Sequence, residues 1–348
     1  MSCSEVVLVC KRLMLVQSVL VNGESISSAS SRIGLSRVAA YKWLARYAEQ
    51  GEAGLVSRSR RPLHSPSCLS IEWQERILAL KTQYPYWGAK KLCVLLGDGA
   101  PCSRTIDRFL KSQGLVGPHH PKRAVGRWER EFCNELWQLD HKGVPQDEFP
   151  IFGCIDDASR FCIALSSVEN QSLDAFWEVL WDAFGSYGLP NAILCDNGPA
   201  FKNLGMKRLS SFELRLLLLG IKPLHGRPYH PQTQGKIERF FGTMDRENVQ
   251  ELEGFRHTYN TIRPHESISQ QTPASVYQAS SRARPDEMPP IILPTGCQTR
   301  RTDQRGTFSY KGQNYRVGRS LAHKTIGIKD DEIYYGHVNV DTLQRAKL

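Results

Sequence analysis

Apolar residues recur at helical spacing along the first part of the chain and give way to short strand-like runs further on. Residues 5–20 form one amphipathic stretch, SISSASSRIG runs to Gly34, and LSRVAAYKWLARYAEQG follows at once. Ser36 fits an N-cap, and Val38, Ala39, Trp43, Leu44 and Tyr47 fall at helical spacing behind it. Two short helices around a Gly-containing turn describe a helix-turn-helix, whose second helix enters a DNA major groove. Arg37, Tyr41, Lys42 and Arg46 then lie on or beside its polar face. A plain helical hairpin with a solvated basic side fits the same pattern.

GLVSRSRRPLHSPS follows, with Arg58, Arg60, Arg61 and His64 set among Ser and Pro. Such a segment buries no core and reads as a basic linker able to lie along phosphates or in a minor groove. A second helical module is expected over residues 71–115. It contains YWGAKKLCVLL and then PCSRTIDRFLKSQG, where Ser103 caps a helix carrying Arg104, Arg108 and Lys111. Two such units joined by a basic linker suggest a long, bipartite DNA site.

From about residue 132 the texture changes. ELWQLDHKG, FPIFGCIDDASRFCIALSSV and NAILCDNG are apolar, β-branched runs closed by turn residues, and SLDAFWEVLWDAFGSYG between them is an amphipathic helix ending at Gly188. A hairpin followed by alternating helices and strands indicates an α/β domain with a mixed sheet. Helical pattern resumes after Glu238 to about residue 280, ARPDEMPPIILP marks a Pro-rich boundary, and GTFSYKGQNYRVG with TIGIKDDEIYYGHVNV fits a small β-barrel. The expected division is a helix-turn-helix module over 1–55, the linker 56–70, the second module 71–115, the α/β domain 130–280 and the barrel 295–348.

Charge sharpens this division. Residues 1–130 hold 20 Lys and Arg against 9 Asp and Glu, whereas residues 131–348 hold 25 against 26. The excess of +10 therefore sits in the helical first third, as expected of a nucleic-acid-binding segment, although a basic surface kept for solubility reads the same way. Residues 282–324 add a local basic patch of nine Lys and Arg against three acids. Ten scattered cysteines with no CxxC pair, and ten histidines at no zinc-finger spacing, favour buried thiols over a disulfide framework or a structural zinc. Lys11 and Arg12 interrupt the first apolar run, so a helix is expected there and not a signal peptide, and a cytoplasmic protein is the expectation.

Three acids stand out by context. Asp140 ends ELWQLD, Asp196 ends ILCD before Asn197 and Gly198 force a turn, and Glu238 lies early in a helix after RPYHPQTQGK. Each has a plain structural use as a turn or surface residue. Together, carboxylates at strand ends and on a crossing helix suit Mg²⁺ or Mn²⁺. WQLD, DDASR, CDNGPAF and RPYHPQTQGKIERF, in that order, resemble the core of the DDE transposase and retroviral integrase superfamily, which has an RNase H-like fold. The fuller resemblance is to bacterial insertion-sequence transposases with an N-terminal helix-turn-helix. RIGLSRVAAYKWLARY, YNTIRPHESISQQTPASVY and SYKGQNYRVGRSLAHKTIGI extend it over almost the whole chain.

The resemblance implies that Asp140, Asp196 and Glu238 bind two Mg²⁺ ions, Mn²⁺ substituting, with Asp140 between both. It places Asp156 and Asp157 at a strand end or turn that supports the sheet, with metal ligation as the lesser alternative. Asn197 and Gly198 shape the turn behind Asp196, while His230, Gln232, Gln234, Lys236 and Arg239 flank Glu238 as DNA contacts or as capping and loop residues. One departure is the 41 residues between Asp196 and Glu238, longer than the roughly 35 familiar in the superfamily. The excess falls in KNLGMKRLSSFELRLLLLG, read as a surface insertion. The implied activity is cutting and joining of double-stranded DNA at terminal inverted repeats by a dimer or larger assembly, associated with the nucleoid when bound. A DNA-binding regulator on the same scaffold and a plain metal-dependent nuclease remain as rivals.

Overall fold

Ser25 and Ser36 each accept a hydrogen bond from the backbone N–H three residues on, and these caps start the two helices that flank Gly34. They belong to a computed structural model that describes residues 3–58, 69–116, 129–143, 149–198, 201, 208–226 and 234–347. The chain divides into two units, Met1–Cys68 and Leu69–Leu348. In the first, α1 (Cys3–Leu20), α2 (Ile26–Ile33) and α3 (Arg37–Gln50) close on Leu15, Val16, Ala29, Ala40, Trp43 and Leu55. Gly34 ends α2 at φ 74°, a left-handed cap that glycine adopts without strain. Arg12 lies 3.7 Å over the Trp43 ring and donates to the Leu55 carbonyl at 2.6 Å, so its charge is used inside the module. Val38, expected in the packed row of α3, is 81% exposed. The packed edge runs through Ala40 and Trp43, and Val38 lies about 200° round the helix from Ala40.

The second unit begins with α4 (Ile71–Gln83), α5 (Ala89–Leu96) and α6 (Ser103–Ser112), packed around Ile77, Trp87, Leu92, Ile106 and Leu110. Ser103 does not cap α6. Cys102 holds the N-cap position with an extended backbone, and its carbonyl accepts the first helical bonds from Thr105 and Ile106. The module is tied to the rest of its unit by polar contacts. Trp87 Nε1 donates to Glu247 at 3.1 Å, Glu247 pairs with Arg263, and Lys91 donates to the Pro264 carbonyl. Burial, helped by the Arg263 charge, pushes the Lys91 ammonium down to about 8.

His265 lies in the same contact, its ring edge-on to Tyr259 with centroids 4.6 Å apart. Burial, then the Lys91 and Arg263 charges, pushes it down to about 3. Its neutral form is favoured in the folded chain, so the unfolded chain binds the extra proton first on acidification. The stability this confers is present above the unfolded value near 6.5 and is lost as pH falls toward 3. A His265→Phe chain is expected to lose less stability than wild type between pH 6.5 and 4. Urea midpoints across that range check this, and parallel slopes for the two chains would refute it.

The α/β part is a five-stranded sheet of order β3-β2-β1-β4-β5, from β1 (Trp137–Lys142), β2 (Ile151–Asp156), β3 (Cys162–Ser167), β4 (Ala192–Cys195) and β5 (Lys222–His225). The hairpin strands β1 to β3 pair antiparallel, and β1–β4 and β4–β5 are parallel, the mixed sheet expected from sequence. α7 (Leu173–Tyr187), capped by Ser172 and closed by Gly188, covers one face. Its Phe176, Trp177, Leu180 and Phe184 pack with Trp137, Leu139, Phe152 and Cys154. Strand alternation sends Gln138 and Asp140 to the other face. There α9 (Gly235–Arg246) and α10 (Leu252–Thr261) bury Ile237, Phe240, Phe241, Phe255 and Tyr259 with Ile155, Cys162 and Leu165. A short α11 (Pro273–Val276) follows.

α8 (Ser211–Leu218) occupies the long interval between Asp196 and Glu238. It is not a surface insertion. Phe212 and Leu216 join the α/β core, while Leu214 and Leu218 join the core of the C-terminal part, so both faces are covered. Arg208 just before it pairs with Asp341 at 2.7 Å.

That C-terminal part holds β6 (Gln298–Arg301), β7 (Thr307–Tyr310), β8 (Gln313–Arg316), β9 (Thr325–Lys329), β10 (Glu332–Tyr335), β11 (Val338–Thr342) and α12 (Leu343–Ala346). They make a four-stranded antiparallel sheet, β11-β10-β9-β6, and a β7-β8 hairpin. Among the described residues these pairings do not close into the expected barrel. The strands are only four or five residues long, and the hairpin and the sheet share one apolar core, which Leu214 and Leu218 of α8 join. Among the described residues no helix is long and apolar enough to cross a membrane.

Candidate active site

Asp140 sits within β1, two residues before the strand's end and not at it, opposite Gly153 of β2. The strand runs on to Lys142, which pairs with Asp245 on α9. Gly153 explains how α9 comes so close. A Cβ there would stand 2.8 Å from Phe241 Cζ, so only glycine leaves room for that ring on the sheet at Asp140's register. Asp196 follows β4, with its Oδ1 accepting from Gly198 N–H at 3.0 Å. A Cβ on Gly198 would press on both Asp196 oxygens at 3.0 and 3.1 Å, and Asn197 donates to the Gly226 carbonyl at 3.1 Å. Glu238 is exposed in the first turn of α9.

The electrostatics tie the three acids together. Burial pushes the Asp140 carboxyl up from the usual carboxylate range, and the nearby charges of Asp196 and Glu238 push the same way. A hydrogen bond from His141 N–H at 2.8 Å opposes them. Among the described residues, no three of His, Cys, Asp and Glu stand close enough together to hold one ion. The donor chemistry nonetheless fits hard divalent cations: three carboxylates, one of them raised by burial and, to a lesser degree, by its neighbours' charge, which a cation would relieve. Gln234 Nε2, at the start of α9, is buried without a hydrogen-bond partner among the described residues.

Asp156 and Asp157 are fully buried and their oxygens are occupied. Asp156 accepts from Asn134 N–H and from Ser159 N–H and Oγ, and burial raises its carboxyl. Asp157 accepts from Arg130 N–H at 2.8 Å and Gln138 Nε2 at 2.7 Å, and pairs with Lys236 Nζ at 2.5 Å. Sequence reasoning missed Gln138, and it also missed a pair behind Asp196. His225 Nε2 meets Glu213 Oε1 at 2.9 Å, and His225 Nδ1 meets the Asp196 carbonyl oxygen at 3.2 Å. Burial alone would raise Glu213, but hydrogen bonds from His225 and Ser210 outweigh it and hold the carboxyl low. The only sequence signal for Glu213 was the capping box it forms with Ser210 at the start of α8.

The residues expected to face DNA divide by placement. Arg37, Tyr41 and Lys42 on α3, Arg58 after it, and Arg104 and Arg108 on α6 are exposed. Arg46 is half-buried, its guanidinium 5.0 Å from the Trp43 ring. Arg239 is exposed beside Glu238, whereas the Lys236 side chain is 17% exposed and turned inward to Asp157. Arg60, Arg61, His64, His230 and Gln232 lie outside the described residues.

Models of the integrase core domain match residues 133–231 and 219–273, the span that carries this sheet, α9 and all three acids. Together these matches cover residues 133–273. Ahead of them, a helix-turn-helix domain matches residues 11–62 and a homeodomain-like domain matches 39–110. Helix-turn-helix segments followed by an integrase core are the domain makeup of integrase-type transposases. The chain is 23% identical over 284 residues to the transposase for transposon Tn552 of Staphylococcus aureus, covering 71% of this chain and 57% of that protein. It is 31% identical over 113 residues to the Gag-Pro-Pol polyprotein of sheep pulmonary adenomatosis virus, 30% of this chain but 6% of the polyprotein. Among solved structures, the catalytic core domain of BIV integrase is similar at 21% identity and TM-score 0.33, covering 41% of this chain and 93% of that one.

Proposed function

We propose that this chain is a DNA transposase that cuts at the terminal inverted repeats of its element and joins the freed 3′ ends to target DNA. The observation that carries the reading is the match of residues 133–273 to integrase core models, within which the Asp140 carboxyl lies on the α9 face, raised first by burial and then by the charges of Asp196 and Glu238. Asp140, Asp196 and Glu238 would hold two Mg²⁺ or Mn²⁺ ions, which when bound activate an attacking oxygen and stabilise a leaving oxygen in phosphodiester displacement.

The chain's own residues supply placement. Gly198 N–H orients the Asp196 carboxylate, His225 holds the main chain behind it, and Gly153 seats α9 so that Glu238 is carried toward the sheet. Arg239, exposed next to Glu238, would meet the phosphodiester. Arg37, Tyr41 and Lys42 on α3 and Arg104 and Arg108 on α6 grip the repeat. Phosphate contacts supply most of the affinity and base-edge contacts the choice of site. In the first reaction water attacks the phosphodiester at the element's end and a 3′-hydroxyl leaves. In the second that hydroxyl attacks a target phosphodiester and displaces a new 3′ end, with no covalent link to the protein. Two ends must be held together, so a dimer or larger assembly acts.

The test is strand transfer of a labelled duplex ending in the inverted repeat that flanks the coding sequence, with Mg²⁺ or Mn²⁺. Wild type is expected to give joined products and Asp196→Ala none, with repeat binding unchanged. Specific binding without cutting would make the chain a regulator. Nicks without joined products would make it a nuclease.

A further inference from the structure

We propose that Gln138, Asp157 and Lys236 form a buried bracket that sets the spacing between Asp140 and Glu238. Each half of the bracket stands two residues before one of the carboxylates. Gln138 precedes Asp140 on β1 and shares its face of the sheet, because strand side chains repeat every second residue. Lys236 precedes Glu238 in the first turn of α9. Asp157, fully buried in the turn after β2, joins the two. Its Oδ1 accepts from Gln138 Nε2 at 2.7 Å and its Oδ2 pairs with Lys236 Nζ at 2.5 Å. Its own carbonyl also accepts from Lys236 Nζ at 3.2 Å. A second link bypasses the aspartate: Gln138 Oε1 accepts from the Ile237 N–H at 3.4 Å.

That N–H is one of the four a helix leaves unsatisfied at its start, and α9 has no side-chain cap at Gln234 to replace the link. The strand therefore does the capping, through the residue that shares Asp140's face. The arrangement also decides what Lys236 does. Turned outward to a DNA phosphate, as its place in the sequence suggests, it would leave the Asp157 carboxylate buried among Gln138, Arg130 N–H and the Arg160–Glu129 pair without its own countercharge, which is strongly unfavourable. Lys236 is thus a positioning residue that acts through Asp157, and the phosphate-facing charge of this turn is Arg239.

The link to metal binding rests on the reading of Asp140 and Glu238 as metal ligands, and the experiment separates the two. The full chain is compared with Asp157→Asn, with Lys236→Met, and with the double variant, which leaves no buried charge unpaired and so controls for misfolding. Amide exchange of residues 235–241 is measured without metal, Mn²⁺ binding by calorimetry, and DNA affinity by anisotropy over a salt series. In all three variants, exchange in the first turn of α9 is expected to be about tenfold faster. Mn²⁺ is expected to bind about 10–100-fold more weakly, as for other partners that orient ligands, while DNA affinity and its salt slope stay at wild type. Wild-type exchange and Mn²⁺ affinity in the double variant, with a shallower salt slope for Lys236→Met, would overturn the bracket and return Lys236 to DNA. If wild type binds no more Mn²⁺ than Asp196→Ala, the metal reading falls, and the exchange rates alone then decide whether β1 and α9 are bracketed.

Discussion

Replacing Gly153 with alanine is expected to cost about 1–3 kcal/mol of stability, the usual range for an overfilled core, and to slow strand transfer about 100-fold. The added Cβ would stand 2.8 Å from Phe241 Cζ and 3.3 Å from Cε1. Phe241 cannot simply swing aside, because it is 7% exposed and its ring lies edge-on to Phe240, centroids 5.6 Å apart. The strain is relieved by lifting α9, and lifting α9 moves Glu238 from the strand residue that faces Gly153, which is Asp140. An ångström at a reacting centre is enough for two orders of magnitude. Urea melts and joining assays on Gly153→Ala check both halves, and Gly153→Ala with Phe241→Leu is expected to regain most of the loss. Full activity in the single variant would mean that α9's seat on the sheet does not set the chemistry.

The second large effect lies outside the chemistry. Glu247→Ala is expected to destabilise the 69–348 unit by about 3–5 kcal/mol, the cost of removing one partner from a buried ion pair. Glu247 and Arg263 side chains are 15% and 11% exposed, and Glu247 also accepts from Trp87 Nε1. Its loss leaves Arg263 without its countercharge and a buried indole N–H without its acceptor. Since Trp87 belongs to the core of the second helical module, that module is expected to come loose before the sheet melts. Urea unfolding followed by tryptophan emission and by far-ultraviolet circular dichroism reads this as two transitions that no longer coincide. Glu247→Gln, which keeps an oxygen for Trp87, is expected to fall between. Coincident transitions at the wild-type midpoint would show that the contact does not hold the module.

Much of this was legible in the chain because it is written locally. Ser172 and Gly188 bound α7 within a few residues of its apolar face, and the turn residues after ILCD place Asp196 beyond a strand. Words of a few residues around Asp140, Asp196 and Glu238 were enough to nominate the three acids. What the sequence hid is held by partners far apart along it. Asp157 reads as one more turn acid until Lys236, 79 positions on, is folded against it. Glu213 reads as a helix cap until His225 arrives from β5. The length of β1 depends on its pairing with β2, so a run ending in an acid gave no sign that the strand continued. α8 looked like a tolerated insertion because it lies between one strand end and the next strand, where extra residues are easily absorbed at a surface. Its apolar residues face two cores, Phe212 and Leu216 one and Leu214 and Leu218 the other, and the second core comes from beyond residue 300.

α8 therefore makes the last quarter of the chain a poor cassette for exchange. Cutting the protein after the integrase core would strip the cover from Leu214 and Leu218 and take Asp341 from Arg208, turning an internal seam into an adhesive stripe. Chimaeras that graft a foreign C-terminal segment inherit the same problem unless they bring a matching apolar hollow. In lineages of this chain, the few residues that lengthen the interval before Glu238 and the segment that covers them are bound to change together or not at all.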